Sequence, residues 1–494
     1  MLYIRMFIMM GISLYTSRIV LKALGVSDYG IYNIVGGIVA MFSFLNTAMS
    51  SATQRFLNFE MGKGNDDEVK RVFSMSMTAH ISIVLVVMVL GETIGLWFLN
   101  SHLNIPAGRM NAANWVYQFS ILTFCIQIIC VPYNASIIAY EKMSFYAYIS
   151  IIDATLKLLI VFLLLYLGWD KLKLYAALTC SVTLISLILY KIYCNIAFTT
   201  CNYHYFWDAS LYKKLISFSG WSLFGSLANV GAQQGLNILV NIFCGVTVNA
   251  AMGIANSVST SIYGFVANFQ TAFKPQIIKS YASNDRIYFM NLIFQASKFS
   301  YYLLFLLAVP VLISTEFILK VWLQVVPEHT ASFCRLIIFF LLIDAISSPL
   351  WMSVQATGKI RNYQILMGSL IFINLPLAYI FLKLGYNPES VLFIRVIINL
   401  ISYITRILYL RPKIELPVRR YIREVILPVS LVTLIALPLP IIVNQYFSDW
   451  SRFIITSLTT LLSTVSCVYF IGLRKSERDF VNNYILNKIG KWNH

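Results

Sequence analysis

Residues Ser13–Gly37 read SLYTSRIVLKALGVSDYGIYNIVGG. The chain is apolar on both sides of this segment, yet Arg18 and Lys22 stand within its hydrophobic run, which closes on Gly25-Val26-Ser27-Asp28-Tyr29-Gly30. A soluble helix has little use for such an arrangement. A membrane span does, provided its cations face a watery cavity or reach the headgroups.

The rest of the chain repeats the pattern. Of 494 residues, 59% are hydrophobic and only 12% charged, and the mean hydropathy is +0.74. A typical soluble domain is nearer ~45–50% apolar and ~25% charged. Apolar runs of roughly 20 residues, enough to cross a ~30 Å hydrocarbon core, follow one another with short polar breaks. The first run has no A-x-A cleavage site and is read as a retained span rather than a signal peptide. The eight cysteines are scattered through apolar runs without CxxC or framework spacing, as expected of packing residues.

This reading predicts an all-α polytopic membrane protein of about fourteen helices. They fall at 2–24, 31–53, 72–99, 112–139, 145–168, 173–197, 215–242, 248–272, 290–322, 331–355, 361–384, 389–410, 421–443 and 452–473. The expected organisation is an N-terminal lobe over 1–200 (spans one to six), a C-terminal lobe over 201–412 (spans seven to twelve), and a helix pair with a basic tail over 413–494. Sorted by alternating loops, about 26 lysines and arginines fall on the side of Arg5, Arg55–Arg71, Lys274–Lys298 and Arg406–Arg423, against about 7 opposite. Both termini are therefore expected in the cytoplasm. Topology accounts for most of the formal +17, and no nucleic-acid partner is implied.

The two halves echo each other. Gly25-Val26-Ser27 followed by Gly30-Ile31-Tyr32-Asn33 matches Gly245-Val246-Thr247 followed by Gly253-Ile254-Ala255-Asn256. Downstream, Arg55 is matched by Lys274, and Asn65-Asp66 by Asn284-Asp285. Six spans per repeat give both copies the same orientation about a pseudo-two-fold axis along the membrane normal, with a substrate site expected between the halves.

At these residues the chain resembles a known family. The stretches TSRIVLKALGVSDYGIYNIVGG (16–37), SSATQRFLNFEMGKG (50–64), ANWVYQFSILTF (113–124), VPYNASI (131–137) and FQTAFKPQIIKSYAS (269–283) resemble lipid-linked oligosaccharide flippases of the O-antigen and capsule type. These belong to the multidrug/oligosaccharidyl-lipid/polysaccharide exporter superfamily. The resemblance implies a two-lobed transporter of fourteen helices in a bacterial inner membrane. Such a protein turns undecaprenyl-pyrophosphate-linked repeat units of O-antigen, capsule or exopolysaccharide, the material of lipopolysaccharide and polysaccharide biosynthesis, to the periplasmic leaflet by alternating access. Membrane lipids and the lipid-linked glycan are the expected partners, with a glycan polymerase as a further candidate; no cofactor or metal is expected.

For such a cargo the pyrophosphate is the difficult part, because an unpaired charge at mid-bilayer costs several kcal/mol. Arginine suits it, since its fork stays charged and binds phosphate oxygens in pairs. Arg18 is the first candidate, with Lys22 one turn on; the competing reading is that both snorkel to the headgroups. Arg55 and Lys274, at matching cytoplasmic ends of spans two and eight, are candidates for the cavity mouth or simple positive-inside anchors. Asn229, Gln233, Asn237 and Asn241 recur at i, i+4 with Gln234 alongside, making one polar stripe that faces either water or another helix. Tyr29, Asn33, Gln54, Asn249 and Asn256 would complete a neutral glycan lining. Glu92, Asp153, Glu316 and Asp344 are candidate ion-coupling sites, although Asp153 and Lys157, four residues apart, are expected to neutralise each other.

Two other function classes compete. A cation-coupled multidrug exporter of the same superfamily would use intramembrane carboxylates and aromatic cages, and Arg18 counts against it. A membrane glycan polymerase or ligase would gather carboxylates or histidines on an ordered outer loop. The five histidines share no such spacing and no GxxxxGK[ST] is present, so the chain is not expected to be an enzyme.

Overall fold

In a computed structural model, residues 43–102, 105–166, 170–323, 326–479 and 482–483 are described, together with positions 5, 9, 12, 15, 16, 19, 20, 23–25, 28, 29, 31, 32, 35, 36 and 39. The chain is all-helical, with no strand among the described residues, and ten of its helices are long and apolar enough to cross a membrane.

Those named below are α1 (Ser43–Gly62), α2 (Asp66–Leu90), α3 (Met110–Ala139), α4 (Met143–Tyr166), α5 (Lys171–Ala197), α6 (Ala209–Ala282), α7 (Arg286–Ile313), α8 (Thr330–Thr357) and α9 (Glu389–Lys413). The expected seventh and eighth spans form α6, two helices meeting at Gly245, whose φ of 82° suits glycine. Sequence punctuation also marks breaks. The span over 361–384 is interrupted between Phe372 and Asn374, and Pro438 opens a new helix after Ala436.

Contacts divide the chain into two compact units. The first holds Met1–Leu227, Ile278–Asp285 and Gly358–Gln364; the second holds Ala228–Ile277, Arg286–Thr357 and Ile365–His494. In the first unit α3 packs against α5 and α1, and in the second α8 packs against α7 and α9. These central helices are the most enclosed of the ten, with 67% and 61% of their apolar windows buried.

The repeat is visible in the turns. After α1, Asn65 N–H donates to Glu60 O and Gly64 N–H to Met61 O; after α6, Asp285 donates to Ser280 O and Asn284 to Tyr281 O. Each is a helix-ending turn closed by a left-handed residue, Gly64 at φ 72° and Asn284 at φ 60°. The geometry pairs Gly64 with Asn284, one residue out of step with the sequence match of Asn65 to Asn284.

The segment after the last span is tied down by charge. Lys298, fully buried in α7, donates to Glu477 Oε2 at 2.7 Å and to Gly472 O at 3.1 Å. Breaking such a buried pair by removing one partner typically costs about 3–5 kcal/mol.

Candidate functional site

At one end of the first unit, Arg109, at the start of α3, pairs with Asp28 and with Asp170 at the start of α5. Its Nε donates to Asp28 Oδ1 at 2.9 Å and its Nη1 to Asp170 Oδ2 at 2.9 Å. Asp170 also caps α5 by accepting from Leu172 N–H. Burial pushes the Asp170 carboxyl up, but the Arg109 hydrogen bond and charge, with the Leu172 and Lys173 amides, hold it below the usual carboxylate range. Asp28, from the opening segment, thus pairs with the cation at the head of α3.

At the other end of the unit Arg55 is buried, 7% exposed, with its guanidinium 4.7 Å from the Phe56 ring and 4.4 Å from that of Phe59. Gly358, at φ 75°, leaves room for it: a Cβ there would meet Arg55 Nη2 at 2.5 Å. Gly62 similarly lies against the backbone of Lys279, whose Nζ pairs with Glu141 at 2.8 Å. Gln54 is half-buried beside Ser50, its amide donating at 3.4 Å.

Inside this unit lies a cavity of about 260 Å³, with polar lining from Tyr32, Asn46, Ser120, Thr123, Gln127 and Thr179. The pattern 120, 123, 127 is i, i+3, i+7 on α3, one helix face, and was legible in principle. Sequence reading passed over it because the face is completed by α1 and α5, far along the chain. Tyr29 is half-buried; Arg18, Lys22 and Asn33 lie outside the described residues.

In the second unit the amide stripe of α6 is largely open. Asn229, Gln233, Gln234 and Asn241 are exposed, while Asn237 is half-buried and donates to Gln234 Oε1 at 3.0 Å. Exposed amides are costly against hydrocarbon unless paired, and here Asn237 and Gln234 pair with each other. Past Gly245 the helix continues with exposed Ser257, Thr260 and Ser261, each returning its hydroxyl to its own backbone, and with half-buried Asn249 and Asn256. Lys274 is half-buried and forms no salt bridge among the described residues.

The four acidic candidates all have partners. Asp153 pairs with Lys157 at 2.8 Å and accepts from Ser186 at 3.2 Å. Glu92 accepts from Gln118 at 3.0 Å, and exposed Glu316 pairs with Arg335 at 3.1 Å. Asp344, midway along α8, accepts from the Tyr263 hydroxyl and lies in the field of Arg406 and Arg395. Arg406 is itself fixed by Ser347, through the carbonyl at 2.9 Å and Oγ at 2.6 Å.

No family model and no curated protein matches this chain. Solved structures do. It is similar to a multidrug resistance MATE family transporter of the MOP superfamily in an outward-facing conformation, at 15% identity and a TM-score of 0.71 over 84% of this chain and 94% of that one. A crystal structure of a MATE mutant gives 14% identity and a TM-score of 0.71 over 84% and 95%. A MOP superfamily transporter from Pyrococcus furiosus Vc1 (DSM3638), described as having a binding pocket of reverse polarity, gives 14% and 0.69 over 84% and 94%. At such identities the likeness shows the fold, which is the two-lobed, all-helical fold of MATE transporters.

Proposed function

We propose that this chain is a membrane transporter working by alternating access, whose cargo is a lipid-linked oligosaccharide carried through a pyrophosphate. The single observation that carries this reading is that every acidic candidate within the spans is already engaged, three of them by cations, whereas Lys274 has no carboxylate partner among the described residues. A carrier of cationic drugs needs free carboxylates, and a carrier of pyrophosphate needs free cations. The exposed amide face of α6 adds donors and acceptors suited to sugar hydroxyls. Arg18, Lys22 and Arg55 are proposed as further anion-binding residues, in a bacterial inner membrane with both termini cytoplasmic.

A second reading is cation-coupled multidrug export, and the comparisons support it more directly, since one similar structure is a multidrug resistance transporter. Glu92 would be its best-placed carboxylate, because its partner Gln118 is neutral. One experiment separates the two. Proteoliposomes holding a fluorescent undecaprenyl-pyrophosphate sugar on one leaflet are followed by leaflet-selective quenching, beside ethidium efflux under proton and sodium gradients. Transfer of the sugar lipid that is lost in Lys274→Gln supports the first reading; ethidium efflux without sugar-lipid transfer replaces it with the second.

A further inference from the structure

The first unit's cavity has an unusual lining for a pocket within membrane-spanning helices. No Asp, Glu, Lys, Arg or His lines it among the described residues. Asn46 Oδ1 is shut off from solvent and accepts no hydrogen bond, and neither Gln127, which is exposed, nor Ser120 has a hydrogen-bonding partner among the described residues. Thr123 donates to the carbonyl of Phe119 at 2.6 Å, which leaves its oxygen free to accept, whereas Thr179 donates to the carbonyl of Tyr175 at 2.8 Å and is also hydrogen-bonded to the Tyr32 hydroxyl. Phe119 and Phe124 supply apolar walls.

Three kinds of guest can be weighed. A cation or anion would find no counter-charge among the described lining residues, at a cost of several kcal/mol. An apolar guest would strip water from Gln127 and Ser120, at about 1–3 kcal/mol for each group left bare, and would leave Asn46 Oδ1 still without a donor. A neutral ring carrying several hydroxyls meets both demands, because its O–H groups replace water at Gln127 and Ser120 and supply the donor Asn46 Oδ1 lacks, while its C–H faces lie on the aromatic walls. The volume, about 260 Å³, equals roughly eight or nine waters at ~30 Å³ each. That is room for one ring and its hydroxyls, not for a chain of them.

We propose that this cavity is a subsite for a single neutral sugar ring of the cargo. The proposal rests on the glycolipid reading of the function and adds where one sugar of that cargo is held. Asn46 and Gln127 are its principal hydrogen-bonding residues, with Ser120 and Thr123 beside Gln127 on the same face of α3.

The test uses the full chain in nanodiscs, with Gly36→Cys, a lining position where a Cβ meets nothing within 4 Å, as a reporter of maleimide labelling, and three amphiphiles sharing one tail: octyl glucoside below its micellar concentration, octyl phosphate and octyl trimethylammonium. The sugar amphiphile is expected to protect the cysteine at concentrations about tenfold below either charged one, a difference of about 1.4 kcal/mol. Adding Asn46→Leu is expected to raise the protecting concentration about tenfold. Equal protection by all three headgroups, protection by the cation alone, or indifference to Asn46→Leu would overturn the proposal. Should Gly36→Cys fail to accumulate, Val39→Cys reports from the same lining. Sugar protection without any sugar-lipid transfer in proteoliposomes would leave the subsite standing and remove the flippase reading, so the two failures are distinguishable.

Discussion

At the scale of single residues, charge placement is what the sequence disclosed least evenly. The Asp153–Lys157 pair was legible because i, i+4 spacing fixes neighbours on a helix. The Asp28–Arg109–Asp170 cluster was not, since its members lie 81 and 61 residues apart and meet only when the chain folds. Arg55, read as a cavity-mouth cation or a positive-inside anchor, is buried against the Phe56 and Phe59 rings, a packing that its place at a span end does not disclose. The Asp170 carboxyl makes a pH prediction. Its folded-state pKa is depressed, so the stabilisation is fully present above the unfolded value of ~3.9 and is lost as pH falls through the lower folded value. Asp170→Asn keeps an N-cap oxygen and removes the charge. Detergent-solubilised variant and wild type should therefore differ at pH 7 by about 1 kcal/mol or less, as befits a partly exposed pair. That gap should close as the acid limb is descended; a gap that widens instead means the Arg109 contact is not what holds Asp170.

At the scale of elements, spans were legible wherever about 20 apolar residues ran together, and the α6 stripe because amides at every fourth position need no knowledge of neighbours. Close approaches between helices were not, because they depend on what the partner presents. Gly62 is the clearest case. It sits in ordinary helical conformation, where alanine would gain about 1 kcal/mol of helix propensity, but a Cβ there would run into the backbone oxygen of Lys279. Backbone cannot swing aside as a side chain does, so contact should decide the sign. Gly62→Ala is expected to lower the unfolding midpoint despite its better propensity. Gly64→Ala offers the comparison: at φ 72° with nothing within 4 Å of its Cβ, it should lose only the left-handed backbone cost of roughly 1–2 kcal/mol. An increase in midpoint for Gly62→Ala would show that α1 and the end of α6 do not touch there.

At the scale of the whole molecule, the two-lobed fold and the matched helix-ending turns were foreshadowed by repeated sequence, while the cavity of the first unit required three helices from distant parts of the chain. Orientation follows from the same architecture and can be tested from it. Lys63 follows α1 and Gly108 precedes α3, and between them runs one helical path, Asp66–Ser101, of 36 residues. At 1.5 Å per residue this path is about 54 Å long, more than a bilayer's hydrocarbon thickness, so the two positions lie on opposite sides. By the positive-inside rule, the excess of lysine and arginine on the side of Lys63 predicts that this side faces the cytoplasm. Both sites are exposed, whereas all eight native cysteines are buried or half-buried, which makes the wild-type chain a usable background. In intact cells opened only at the outer membrane, a membrane-impermeant maleimide should label Gly108→Cys and spare Lys63→Cys until the inner membrane is permeabilised. The reverse pattern would invert the chain in the membrane, and Asp28, Arg109 and Asp170 would then face the cytoplasm.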